Sequence, residues 1–345
     1  MLVYYSIYSF LILLGRAAKR GGLYWLALVS LFVVAGFRYE VGCDWSGYLA
    51  NWYIMDGRSL DSAFQYSEPA HWAIIALLQQ AGQSYTYLLV IASGVFFWGL
   101  HSLARRQPNP LAVLVLAFPI LVINMPMSAI RQAEAIGIMC FAFAAFVDRK
   151  LLRYVALVGL AVLFHRSAMI FLAFAPFIHL QFTKRNVAFS MLLALPGLYL
   201  MTQTAAADEA MGRYVGTGVD AAGAAFRLLV LVLSGALYLL KIRPLWKRQF
   251  PQDYKLVTIA AWLMVASFGL FFVSSVIGDR FGYYLIPLQL VIFVRIPYLQ
   301  GLRNRQLWTF APYALLTTVF FVWTQLSWHF QQCYVPYQFG IYSDS

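Results

Sequence analysis

The sequence predicts an all-α, polytopic integral membrane protein with about 12 transmembrane helices. Three observations lead there. Hydrophobic residues make up 62% of the 345 positions and charged residues only 11%, where soluble domains run at roughly 45 to 50% and 25%. Mean hydropathy is +0.71. Apolar stretches alternate with short polar breaks along the whole chain, and a spanning helix needs about 20 apolar residues, with a range of about 17 to 25.

Taken in order, the apolar stretches are 2 to 15, 23 to 37, 84 to 104, 110 to 125, 128 to 147, 152 to 164, 167 to 181, 187 to 204, 223 to 241, 256 to 277, 281 to 297 and 307 to 328. Leu2 to Leu14 has no basic region before it and no small-residue cleavage site after it, so it reads as a retained short span. The longest polar gap follows the second stretch, and in it His71 to Gln80 reads as a short amphipathic helix on the outer surface. The expected organisation is a single transmembrane domain over 1–345, with outer loops at 38–83 and 205–222.

Basic residues set the orientation. With the N-terminus outside, 18 of the 25 Lys and Arg residues fall in inner loops, among them Arg16, Lys19 and Arg20, and 7 fall outside. Eleven of the 13 acids sort outward. The excess of positive charge is thereby explained by membrane orientation and gives no ground for nucleic-acid binding. Cys43, Cys140 and Cys333 are odd in number and widely spaced, so neither a disulfide framework nor a metal site is expected.

Seven arginines remain on the outer side: Arg38, Arg58, Arg131, Arg166, Arg213, Arg227 and Arg280. Four of these, Arg38, Arg131, Arg166 and Arg280, stand at span ends. A guanidinium offers a planar fork to phosphate oxygens and keeps its charge when partly buried, so these four fit a clamp for a lipid-linked pyrophosphate. Snorkelling toward headgroups accounts for any one of them singly. Arg38 lies in Gly36-Phe37-Arg38-Tyr39-Glu40-Val41-Gly42-Cys43-Asp44-Trp45-Ser46-Gly47-Tyr48, which puts two carboxylates directly behind an apolar run. An ionisable group at mid-bilayer costs about 2.5 to 3.5 kcal/mol on insertion scales, so such groups face a cavity or a polar ligand. A loop anchored at the interface by aromatics also fits this stretch.

His165-Arg166-Ser167 breaks an apolar hairpin whose two arms are each short for a crossing, and places a histidine near neutral titration at a polar tip. A hydrogen-bonded structural histidine is the plainer alternative. Arg131 and Glu134 lie three apart on one helical face, which suits either a helix-stabilising pair or a carboxylate beside a phosphate-binding arginine.

In their order, Gly36 to Gly42 with Asp44 and Tyr48, Glu68-Pro69, Ile130-Arg131-Gln132-Ala133, Phe164-His165-Arg166-Ser167-Ala168 and Arg280-Phe281-Gly282-Tyr283-Tyr284 resemble the EpsG group of Wzy-type polysaccharide polymerases. The resemblance covers most of the chain. It departs at Glu134, where the family pattern usually carries a small or apolar residue. It implies a GT-C-like glycosyltransferase of the bacterial inner membrane, working on the periplasmic face without a cofactor or metal. Its substrates would be undecaprenyl-pyrophosphate-linked oligosaccharide repeat units of an O-antigen or exopolysaccharide, handled among membrane lipids and with a chain-length regulator of the polysaccharide co-polymerase type as a partner. Glu40, Asp44 and His165 then stand as candidate bases. Arg38, Arg131, Arg166, Arg280, Tyr39, Tyr48, Glu134 and Tyr283 stand as candidate pyrophosphate or glycan contacts. Trp45 and Tyr284 are further aromatics for sugar faces, with an interfacial belt as their other role. A lipid-linked oligosaccharide flippase and a membrane acyltransferase remain as rival classes.

Overall fold

Helices begin and end where local chemistry dictates, and they follow the apolar stretches. The computed structural model describes residues 1–16, 21–202, 223–273 and 275–342. Lys19, Arg20 and the loop 205–222 with Arg213 lie outside them. In chain order the helices are α1 (Leu2–Arg16), α2 (Gly21–Gly36), α3 (Trp45–Ile54), α4 (Pro69–Gln80), α5 (Tyr85–Ala104), α6 (Pro110–Ala117), α7 (Ile130–Val147), α8 (Leu151–Phe164), α9 (Lys184–Thr202), α10 (Ala224–Leu237), α11 (Arg243–Gln249), α12 (Tyr254–Val273), α13 (Ser275–Arg295), α14 (Arg305–Leu326) and α15 (Trp328–Tyr334). Six helical segments among the described residues are long and apolar enough to cross a membrane: Tyr85–Ala104, Ile130–Val147, Ala224–Gln249, Tyr254–Phe272, Ile277–Tyr298 and Arg305–Leu326. The remaining apolar helices are shorter.

Pro69 and Pro110 start α4 and α6, where a missing N–H costs nothing, and the Asn109 side chain accepts from the Ala112 amide at 3.2 Å. Gly82, at φ +63°, follows the end of α4 in the left-handed conformation that closes a helix. After α6 the backbone widens into a π turn over Phe118–Val122, around Pro119.

The contacts divide the chain into two compact units, one of Met1–Ile138, Leu160–His165 and Ala314–Ser345 and one of Met139–Gly159 and Arg166–Tyr313. In the first unit, α5 and α7 cross through glycines. A Cβ on Gly137 would lie 2.5 Å from the Val95 oxygen and 2.8 Å from the Phe96 Cα, and one on Gly99 would run into the Gly137 carbonyl. Small residues let backbones meet where lipid supplies no hydrophobic drive. Gly137→Ala is therefore expected to cost about 1 to 3 kcal/mol by overpacking, read as a lower melting temperature of the detergent-solubilised protein. An unchanged melting temperature would show that this crossing is slack.

A short tail segment closes the same unit. Strands β1 (Arg38–Tyr39) and β2 (Gln338–Phe339) pair antiparallel. The Gly42 amide donates to the Cys333 carbonyl at 2.7 Å, and a disulfide joins Cys43 to Cys333. This overturns the expectation of no disulfide. A separation of 290 residues in sequence hides a Cα distance of 4.7 Å, which the fold sets through the strand pairing and the Gly42 bond. Cys140 is free and buried.

In the second unit, the arm after His165 is a 3-10 helix, Arg166–Ile178. Ala168, Phe171, Phe174 and Phe177 are buried at a strict spacing of three, which stacks them on one side of a three-residue turn. At about 2.0 Å per residue this 13-residue arm spans about 26 Å, longer than the same residues would reach as an α-helix at about 1.5 Å per residue. The Lys255 ammonium donates to the Phe177 and Leu180 carbonyls at 3.4 and 3.0 Å, where helical carbonyls are left over. Arg295 and the Trp246 indole both donate to Asp253, which closes a buried polar knot.

Candidate functional site

In the first unit the polar loop 38–83 does not lie loose on a surface but folds into a small aromatic core of its own. Trp45, Tyr48 and Trp52 of α3, Trp72 and Ile75 of α4, Tyr85 and Leu88 of α5, and Ile130 of α7 are buried together. The sequence reading missed α3 altogether. It found α4, but the face carrying His71, Trp72, Ile75 and Ala76 is buried against this core.

Arg38 is turned into that structure. It is 1% exposed, and its Nε donates to the Val41 carbonyl at 3.0 Å and its Nη1 to the Ala35 carbonyl at 2.6 Å. It thus satisfies carbonyls left over at the end of α2 and in the following loop. Burial pushes its guanidinium below its ordinary value, while the surrounding Tyr85, Tyr334, Tyr337 and Tyr48 hydroxyls act in the opposite sense. The expectation that Arg38 faces a ligand is corrected to this extent: three residues suffice for it to fold back onto its own helix end, and only Nη2 is left without a hydrogen bond.

Glu40 and Asp44 are exposed. Glu40 holds φ +52°, a turn conformation uncommon outside glycine. Asp44, just before α3, accepts from the Ser128 hydroxyl at 3.2 Å. Gly42 is obligatory here, since its φ is +106° and a Cβ would strike the Met127 carbonyl oxygen.

Two polar rungs connect α4 and α7. The Arg131 Nη1 lies 2.6 Å from Glu68 Oε2, and the His71 Nδ1 lies 2.8 Å from Glu134 Oε2. The arginine and glutamate therefore do not pair with each other along α7, as their spacing allowed; each reaches a partner at the start of α4, where the N-cap residue Glu68 and His71 are also three apart. The Arg131 guanidinium also lies over the Tyr48 ring, 5.6 Å from its centroid, and the Tyr48 ring is 5.6 Å from that of His71. Burial pushes the Tyr48 hydroxyl above its ordinary value, and the Arg131 charge works against that. Arg131 is one-third exposed (33%), whereas the side chains of His71 and Glu134 are 0% exposed. His71 was absent from the sequence candidates, although the matching three-residue spacings of Glu68 with His71 and Arg131 with Glu134 are a readable signal.

His165, also in the first unit, is half-buried. The second unit holds the other predicted residues. Arg166 is half-buried and opens the 3-10 helix, and the Ser167 hydroxyl donates to Tyr284 at 3.2 Å. Arg280 is exposed on α13. Just before it, Asp279 takes Arg227 in a two-pronged pair at 2.8 and 2.7 Å, and the Arg227 guanidinium lies over the Tyr283 ring at 5.5 Å. Trp45, Tyr48, Tyr283 and Tyr284 are buried and Tyr39 is half-buried, so the first four do not form an exposed belt. Among the described residues no group of three or more His, Cys, Asp or Glu side chains could hold a metal ion.

Searches of curated proteins and of solved structures found no match to this chain. Among protein families, a match runs over residues 23–339, which takes in the loop from Arg38, both rungs, the His165 break and the segment after Arg280. The chain is thus a multi-pass helical membrane protein that belongs to the EpsG family, the Wzy-like polymerase family.

Proposed function

We propose that the protein is a glycosyltransferase that joins lipid-pyrophosphate-linked oligosaccharide repeat units at the periplasmic face of the bacterial inner membrane, its helices forming a GT-C-like body of about 12 crossings. The observation that carries this reading is Arg131. A guanidinium held on one side by Glu68 and stacked over Tyr48 stays one-third exposed, one helical turn from the buried His71 and Glu134 pair. Arg280, exposed on α13, and Arg166 supply the same chemistry in the second unit.

In the proposed reaction a sugar hydroxyl of the incoming repeat attacks the anomeric carbon of the growing chain, the bond from that carbon to the pyrophosphate breaks, and the electron pair leaves on the pyrophosphate. Fixed positive charge stabilises the departing group, and a base takes the hydroxyl proton. Glu40, Asp44 and His165 are the bases that the sequence offers. The disulfide between Cys43 and Cys333 supports an outward position for this loop, because disulfides persist in oxidising compartments such as the periplasm. O-antigen and exopolysaccharide repeats, and a chain-length regulator as partner, all fit the reading.

A deletion strain tests it. Polymerase loss is expected to leave single repeats on the surface lipid, restored to a ladder by the intact gene. Complete absence of surface repeats would point to a flippase, and a full ladder lacking acyl groups to an acyltransferase. Orientation is tested in a Cys140→Ser background that keeps the disulfide. A cysteine at Ser59 should react with an impermeant thiol reagent in spheroplasts and one at Gln249 should not. The opposite pattern would place the site on the wrong face.

A further inference from the structure

The His71 and Glu134 pair carries more than a packing role. Both side chains are 0% exposed, and burying an ionised carboxylate is costly unless a partner holds it. Glu134 has one such partner, His71 Nδ1 at 2.8 Å. The outer atom of each group, Nε2 of His71 and Oε1 of Glu134, is buried and makes no hydrogen bond. Buried polar atoms are seldom left so, and two on one hydrogen-bonded pair mark a place kept for a ligand or a proton. Tyr48 from α3 packs on the His71 ring, and Arg131 from α7, which lies over the same Tyr48 ring, pairs with Glu68 just before α4. Arg131 and Glu68 balance each other, so the charge of the site turns on whether the pair holds a proton.

We propose that His71 is the catalytic base for the acceptor hydroxyl and that Glu134 is its positioning residue, fixing the Nδ1 hydrogen so that the Nε2 lone pair is presented to substrate. This rests on the glycosyltransferase reading above. Glu134 plays the orienting part that a carboxylate plays behind a catalytic histidine, and steadies the imidazolium that forms. The hydroxyl proton passes to Nε2 as the sugar oxygen bonds to the anomeric carbon, and the pyrophosphate departs against Arg131, one helical turn before Glu134. Tyr48 lies against both His71 and Arg131, and Arg131 is one-third exposed where the pair is fully buried. In the proposed reaction the pyrophosphate draws Arg131 from Glu68, and the Tyr48 ring that links Arg131 to His71 is the element that moves to admit the hydroxyl to Nε2. Glu40 and Asp44, by contrast, are exposed carboxylates on the loop, and Asp44 already accepts from the Ser128 hydroxyl.

The test uses purified full-length protein in lipid, with the pyrophosphate-linked repeats that accumulate in the deletion strain. His71→Gln, whose amide can still donate to Glu134, should bind farnesyl pyrophosphate as wild type does yet polymerise about 10²- to 10⁴-fold more slowly, the range for a lost general base. Imidazole should restore part of the rate to His71→Ala, and a series of substituted imidazoles should restore more as their basicity rises, which a merely structural cavity would not require. Full-rate polymerisation by His71→Gln, or rescue indifferent to basicity, would overturn the inference while leaving the polymerase reading intact. Failure of the wild-type protein to extend these repeats would instead sink the polymerase reading itself.

Discussion

Arg131→Ala is expected to abolish the long glycan ladder, with polymerisation falling about 10²- to 10³-fold, the scale of removing one fixed donor from a developing negative charge. Arg131→Lys should keep part of the activity, since lysine retains the charge but loses the fork that serves Glu68 and an incoming pyrophosphate together. The alanine variant also strands Glu68, whose side chain is only 8% exposed, and an uncompensated buried charge is destabilising in its own right. The double variant Arg131→Ala with Glu68→Gln separates the two effects: protein level should recover and activity should not. Recovery of the ladder in the double variant would show that Arg131 only neutralises Glu68. The same order, wild type above lysine above alanine, is expected at Arg280. Arg58, exposed and bonded to the Tyr66 hydroxyl, should tolerate alanine and serves as the control.

Arg38 should fail in a different way. Arg38→Met fills similar space but leaves the Val41 and Ala35 carbonyls without their donor, at about 1 to 3 kcal/mol for each buried group. We expect a sharp drop in folded protein and in melting temperature, with activity lost in proportion. Arg38→Lys should be intermediate, because one ammonium cannot reproduce the two-pronged geometry. If Arg38→Met accumulates and melts normally but makes no ladder, the residue contacts substrate after all, as its place at a span end first suggested.

That contrast shows what could be read from the chain. Each apolar stretch corresponds to a helical element, and the break at His165 falls where the polar triplet put it, because hydropathy and helix breaking are local properties. Arg38 and Arg131 look alike in sequence, each an arginine at the edge of an apolar run. Only folding decides that one turns inward to serve its own backbone and the other stays partly exposed over Tyr48. α3 was hidden although Trp45, Tyr48 and Trp52 stand at helical spacings of three and four, because the same aromatics also suit an interfacial loop, and its order comes from a core shared with α4 and α5. His71 was passed over because its partner lies 63 residues away. The 3-10 arm had a visible mark, phenylalanines at 171, 174 and 177, a period of three where an α-helix would show 3.6.

The strand and disulfide that fasten the loop bear on the order in which the protein is made. Arg38 to Tyr48 leaves the ribosome after only two helices, whereas Cys333 and the Gln338–Phe339 strand follow α14. The loop must therefore wait, its cysteine unpaired, through the synthesis and insertion of nearly every later helix. The earliest polar segment to reach its side of the membrane is in this way the last to be locked, and biosynthesis delivers a finished site only with a nearly finished bundle.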